Sequence, residues 1–363
     1  MSQITDNRPT SCFCLAAFVM AIAAIAGIAA SIPVFGQEMA VTKINVTSLP
    51  SRSRELRLLR SFPTEKDETN DVFLSRAQDL SSDSRGRIYV SDVKTSQIFV
   101  FERDGRFVMK IGRPGQGPGE FNLVGRALST ARGLAVLDRS NARIQYFDER
   151  GQFVNSVKLT KSFSDMAIGR DGTVFALSVR YAAGEMISVI DADGRIKTTF
   201  GHPPKALSTR PGLGWLKAGP GDEIFFAYWF YPFIQVYSPN GELLRLFELQ
   251  YRPIQARLAK NEARAKTVPG GARVIGEAII EAIDVDDEGF YVLYRDKRIE
   301  ILEFKHDGTY VKTYWTAQAP DYYPIRLLVL NEGGQKVFYL LQATPENRID
   351  VFIEEQTKRV LGS

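Results

Sequence analysis

Cysteine is almost missing from this chain: Cys12 and Cys14 are the only two, and both stand at the start of an apolar N-terminal segment. Everything after residue 14 is therefore free of disulfides, thiol nucleophiles and thiolate metal ligands. Lipid attachment is disfavoured as well, because it needs a cysteine at the end of such a run. Histidine is equally scarce, with only His202 and His306. There is no Gly-x-Ser-x-Gly elbow and no Cys/His pair, so the usual nucleophile constellations are absent. No block of one charge sign occurs either: 46 basic residues against 42 acidic give a net charge of +4. Nucleic-acid binders usually gather Lys and Arg on one stripe, and nucleic acid is not an expected partner.

What is present points to a large β-rich core. Hydrophobic residues make up 44% of the 363, too many for a disordered chain. The 29 glycines with 23 Phe and 14 Tyr favour short strands closed by tight turns. Residues 9–37 carry no charge, and Cys12 to Ile32 are almost continuously apolar between Arg8 and Pro33. That run exceeds the ~7–15 residues of a signal-peptide core and approaches the ~20 that span a bilayer. Two readings follow: a removable signal cut before Gln37, or an uncleaved anchor in which residues 12–32 tether the chain to the inner membrane. Both place the rest outside the cytoplasm, in the periplasm or the extracellular medium. The expected division is 1–36 as signal or anchor, 37–54 as linker and 55–363 as one folded domain.

One unit recurs through that domain. Its clearest copy is Gly86-Arg87-Ile88-Tyr89-Val90-Ser91-Asp92, then Ile98–Phe101, then Asp104-Gly105-Arg106-Phe107. A second runs from Gly133 through Ile144–Phe147 to Gly151, and others start at Gly172, Gly221 and Gly289. The two turn glycines are 19, 18, 22, 20 and 19 residues apart in the five complete copies, and successive first glycines are 47, 39, 49, 68 and 45 apart. Steps of ~40–50 suit a four-stranded propeller blade. A sixth copy, Gly334, Val337–Leu340 and Ile349–Phe352, lacks its second glycine. The expected fold is all-β, a six-bladed β-propeller of four-stranded antiparallel blades.

An open array would leave unpaired sheet edges, which proteins avoid. Leu56–Phe62 reads as a last strand without its first three, so it is expected to pair beside Ile349–Ile353 and close the ring; Val360–Leu361 is the alternative. The long 68-residue step holds 253–266 (PIQARLAKNEARAK). It reads as a short basic helix with Pro at its first turn and Pro269-Gly270-Gly271 as its stop, lying over one face.

Two stretches carry a family resemblance. Leu137-Asp138-Arg139-Ser140-Asn141-Ala142-Arg143-Ile144 through Gly151 resembles the strand–loop–strand–turn core of the NHL repeat, as found in NHL and TolB-like six-bladed propellers of exported bacterial type. Gly112-Arg113-Pro114-Gly115-Gln116-Gly117-Pro118-Gly119-Glu120-Phe121 is similar to that family's Gly-rich inter-blade linker. It lacks the Gly-Lys-Ser/Thr ending of a phosphate loop. The resemblance covers residues 72–315 and implies binding on the face that holds the loops between second and third strands.

Residues expected on that face are Asp92, Asp138, Asn141, Arg143, Arg180, Tyr181, Tyr228, Trp229, Tyr231, Arg295 and Asp296, with His202 and Trp215 from an inter-blade loop. Tyr228-Trp229-Phe230-Tyr231-Pro232-Phe233 could stack a sugar or a peptide or pack between blades. Similar lyases use histidine-bound zinc, but His202 and His306 fall on opposite faces and cannot share one ion at ~2.0–2.1 Å. Calcium needs only oxygens, so Asp92, Asp138 and Asp296 could ring an axial ion as in lactonase-like propellers. Against that, loop aspartates commonly cap backbone donors. Asp284-Asp286-Asp287-Glu288 reads as a solvated corner. The leading expectation is a non-catalytic exported module that binds a protein, peptide or glycan and needs no cofactor. The alternative is a propeller enzyme, a lyase or lactone hydrolase using calcium or a His202 acid/base.

Overall fold

The structure, a computed structural model, describes residues 40–355 apart from 48, 69–70, 179–184, 205–212, 268–275, 318–321 and 345. The N-terminal segment, the helix stop at 269–271 and Val360–Leu361 lie outside the described residues. Among the described residues no helix is long and apolar enough to cross a membrane.

The chain is a six-bladed β-propeller. Blade 1 holds Ala77–Ser82, Ile88–Asp92, Gln97–Phe101 and Phe107–Ile111; blade 2 runs from Val124–Thr130 to Phe153–Lys158, and blade 3 from Phe163–Ile168 to Ile196–Phe200. Blade 4 spans Gly214–Ala218 to Leu243–Gln250, and blade 5 spans Ala282–Val285 to Tyr310–Thr316. Blade 6 consists of Pro324–Glu332, Gln335–Gln342 and Arg348–Glu354. First strands touch in order around the axis, and that of blade 6 returns to that of blade 1. Second and third strands are nearly continuous apolar runs (Ile88–Asp92 and Ile224–Tyr228 are wholly buried). Both of their faces press on neighbouring blades, which explains why these segments do not alternate.

The outer strand of blade 6 is Ser53–Phe62. Leu56 to Phe62 pair antiparallel with Glu354 to Ile349, as the closure argument expects. The same strand does more, since Ser53–Glu55 pair in parallel with Thr313–Trp315 of blade 5. Upstream, Thr42–Asn45 add a fifth, parallel strand to blade 4 against Phe247–Gln250. Part of the stretch read as a linker, 37–54, is thus strand, and it straps three successive blades. The reason is edge energetics: an unpaired outer strand attracts any free backbone nearby.

The turns follow the Asx pattern. The Asp191 carboxylate accepts from the N–H groups of Asp193 and Arg195, and Gly194 follows at φ 82°. A Cβ on Gly194 would sit 2.0 Å from the Lys158 carbonyl oxygen, so no other residue fits both the space and the backbone. The inserted helix is Arg252–Lys266, with Pro253 in its first turn. Ile254 and Leu258 pack against the core between blades 4 and 5.

Candidate functional site

The first strands line the axis; the longer blade 6 strand ends on Glu332, and each of the six carries a charged side chain at its third or fourth position. In ring order these are Asp79, Arg126, Asp165, Lys217, Asp284 and Arg326, so the sign alternates at every step. Arg326 Nε lies 3.0 Å from Asp79, Arg126 Nε 3.7 Å from Asp79 and Arg126 Nη1 3.0 Å from Asp165. Asp165 accepts from Leu216 N–H at 3.1 Å, Lys217 Nζ lies 2.8 Å from Asp284, and Asp284 accepts from Val329 N–H at 2.7 Å. Each of the six seams between blades is therefore crossed by a charge-assisted contact. In blades 1, 3 and 6 a register shift falls directly before the charged residue. Bulges of this kind re-aim a side chain, here inward to the axis.

Burial is what makes these charges interdependent. Burial lowers the Lys217 ammonium below its usual pKa, and Asp284 only partly offsets that. Burial also works against the Arg126 guanidinium, yet Asp165 and Asp79 together hold its pKa above the ordinary value. Asp284, expected at a solvated corner, belongs to this ring and is only 5% exposed. The corner reading suits Asp287, which is exposed. Asp286 caps the Glu288 and Gly289 N–H groups.

At the loop-face end of the axis lies a cavity of about 470 Å³. Its walls include Trp215, Trp229 and Tyr323, and charged groups reach it from Arg139, Glu281 and Arg326. The two indoles are tilted at 46° with centroids 4.8 Å apart. The Arg326 guanidinium lies 3.8 Å over the Trp215 ring, a close cation–π contact. Trp229 is held by its backbone: its carbonyl accepts from Ile279 and Ile280 N–H, and its N–H donates to Leu213. Both indole N–H groups are buried without a hydrogen-bond partner. Behind the wall, Arg295 stacks on Tyr323 at 4.2 Å and lies 3.7 Å from Glu281.

Glu281 is a titratable group in the physiological range. Burial pushes its carboxyl up to about 6, against the pull of Arg295 and Arg257. An unfolded chain ionises this group near 4.5. The neutral form therefore contributes stability that is complete below about pH 4.5 and lost as pH rises through about 6. Glu281→Gln, neutral throughout, should leave stability near pH 4 unchanged and raise it by about 2 kcal/mol near pH 8. Urea denaturation at the two pH values checks the sign; equal effects at both would contradict the assignment.

The residues expected from sequence divide into groups. Asp92 accepts backbone N–H groups from Ser75, Arg76, Lys94 and Thr95. Asp138 accepts from Asn122 N–H, Asn141, Arg143 and Gln145. A carboxylate offers about four lone-pair sites, so both are filled, and neither fits a calcium ligand without losing these donors. Asn141 and Arg143 donate onward to the carbonyls of Gly115, Gly117 and Glu120. The Asp–Asn–Arg signature thus clamps the Gly-rich linker. Asp296 instead faces Arg257 of the inserted helix at 3.4 Å, which places that helix over the loop face. Among the described residues no group of three His, Cys, Asp or Glu could hold a metal ion.

Tyr228 is fully buried with its hydroxyl donating to Gln235, while Tyr231 and Phe233 pack against the core between blades 3 and 4. Of the aromatic hexad, Trp229 alone among these reaches the cavity. Trp215 joins it, but from the first strand of blade 4 rather than from an inter-blade loop. His202 is exposed and outside the cavity, and Arg180 and Tyr181 lie outside the described residues. Sequence reasoning missed Glu281, Tyr323, Arg139 and the charge ring. The available signal was a charge at the third or fourth position of each first strand, alternating in sign from repeat to repeat.

Comparison with known proteins agrees with this architecture. A family model described as a 6-bladed beta-propeller matches residues 66–209. A Bacteroides fragilis protein described as exported superposes with TM-score 0.57 at 15% identity, covering 87% of this chain and 100% of that one. A DUF4221 family member from Bacteroides vulgatus gives TM-score 0.54 at 12% identity, covering 83% and 98%. A virginiamycin B lyase from Staphylococcus aureus matches with TM-score 0.48 at 14% identity over 77% and 80%, a likeness too distant to carry an argument about chemistry.

Proposed function

We propose that this chain is an exported binding module that takes a sugar ring, or a ring-bearing part of a peptide or protein, into its axial cavity. The observation that carries the reading is the cavity itself: two tryptophans and a tyrosine wall a space of about 470 Å³ over a rigid, charge-locked axis. Aromatic walls with a few convergent polar groups are the common form of a small-ligand site. Export is supported by the uncharged residues 9–37 and by the exported description of one structural relative. The Asp138, Asn141 and Arg143 clamp supports grouping the blades with NHL-like propellers. A second reading, acid–base catalysis, draws on Glu281, whose carboxyl titrates near 6 inside the same cavity.

A thermal-shift screen of the full chain against mono- and oligosaccharides and short peptides tests the module reading. For any compound that binds, Trp229→Ala should weaken affinity by about 30-fold or more, the scale of an aromatic hot spot. An unchanged affinity would move the site elsewhere. Turnover of a bound compound, lost in Glu281→Gln, would favour the enzyme.

A further inference from the structure

Charge is balanced almost everywhere around the cavity, with one exception. Asp165 is taken up by Arg126, by Leu216 N–H and by the N–H of Met166. Arg326 is paired with Asp79 and donates to the Ile325 carbonyl. Glu281 faces Arg295 at 3.7 Å. Arg139, which lines the same cavity, has no ion pair and no side-chain hydrogen bond among the described residues, and its Nε is buried without a partner. Its stem packs along Gly125, so the head is anchored rather than free to leave. A half-buried guanidinium with unused donors is a poor structural element and a good receptor for a carboxylate, which it can grip with two parallel N–H bonds.

The geometry points to a ligand of defined class: a small cyclic carboxylate, its ring against Trp215, Trp229 and Tyr323 and its carboxylate on Arg139. This inference rests on the cavity reading proposed above and adds the anionic group to it. Both a sugar acid and an aromatic acid present that chemistry. Glu281 makes the site proton-linked, because a second anion entering the cavity favours its neutral form. The groups that face Glu281 are Arg295 of blade 5, Arg257 of the inserted helix, Tyr323 before blade 6 and Glu277. Of these, the Tyr323 hydroxyl is pushed up by burial and the Glu277 carboxyl is held down by Lys260, so both move away from the range in which Glu281 titrates.

Calorimetry on the full chain with matched probes tests this: glucuronate against glucose, and phenylacetate against 2-phenylethanol. The acid of at least one pair should bind about tenfold or more tightly than its neutral partner, as one charge-assisted pair warrants. The pair that responds tells a sugar acid from an aromatic acid. Arg139→Gln keeps the packed stem and should abolish the preference, while Arg139→Lys should restore part of it. Affinity for the acid should rise from pH 7.5 to 5.5, and Glu281→Gln should flatten that rise. Equal binding of acid and neutral probe, or a preference that survives in Arg139→Gln, overturns the carboxylate inference. If such equal binding is still lost in Trp229→Ala, the cavity reading stands without it. Failure of both acids to bind overturns the carboxylate inference, and binding that ignores Trp229→Ala removes the cavity reading with it.

Discussion

Arg126→Met should destabilise the propeller by about 3–5 kcal/mol, the usual consequence of removing one partner from a buried ion pair. Arg126 is 5% exposed and reaches Asp165, Asp79 and the Leu216 carbonyl, so its loss leaves Asp165 without a cationic partner and Asp79 with Arg326 alone. Most of the effect comes from the stranded Asp165 carboxylate rather than from lost attraction. The double variant Arg126→Met/Asp165→Leu should therefore be more stable than the sum of the two single effects, with a coupling of about 1–3 kcal/mol. Urea denaturation of the four proteins measures that cycle. Additive losses would mean the ring is a set of independent contacts. Arg126→Lys should recover little, because one ammonium cannot both replace Nη1, which meets Asp165 and the Met166 and Leu216 carbonyls, and keep a charge beside Asp79.

A loss of about 3–5 kcal/mol is also expected for Phe62→Ala, the scale of emptying a large aromatic site. Phe62 is 2% exposed, packs against the Phe101 ring with centroids 5.0 Å apart and tilted by 53°, and lies beside Gly105 of blade 1. It therefore ties the last strand of the ring to its first blade. Leu58 sits in the same strand but is 44% exposed, and Leu58→Ala should move the denaturation midpoint little. Equal effects at the two positions would contradict the closure described for Ser53–Phe62. A larger failure is expected if residues 40–62 are removed. Arg348–Glu354 then becomes an open edge, and size-exclusion profiles should show association through it.

The propeller was legible because its turns are local. Gly86/Gly105 and Gly221/Gly241 keep their spacing since each hairpin needs a positive-φ residue at a fixed place. The closing strand was legible for a second reason: six units with free edges cannot stand as they are. The parallel strand Thr42–Asn45 was not, because no short-range pattern announces a strand whose partner begins at Thr42↔Phe247. The site was harder still. Asp138, Asn141 and Arg143 drew attention as polar residues in a loop, yet their polarity is spent on the Gly-rich linker. Asp79, Arg126 and Arg326 looked like ordinary alternation in short strands, since their partners sit one blade away in space and at least 39 residues away in sequence. Glu281 gave no sign because its unusual pKa comes from burial in the cavity wall, a product of the closed ring.

The chain has only three tryptophans, and two of them, Trp215 and Trp229, wall the cavity. Trp315 lies away from it under the Arg298 guanidinium. Fluorescence of the full chain carrying Trp315→Phe therefore reports on the cavity alone. Titrated with a compound that binds by calorimetry, this protein should show a saturating emission change whose midpoint matches the calorimetric affinity. Calorimetric binding with no change in tryptophan emission would contradict the claim that the axial cavity is where this propeller holds its ligand.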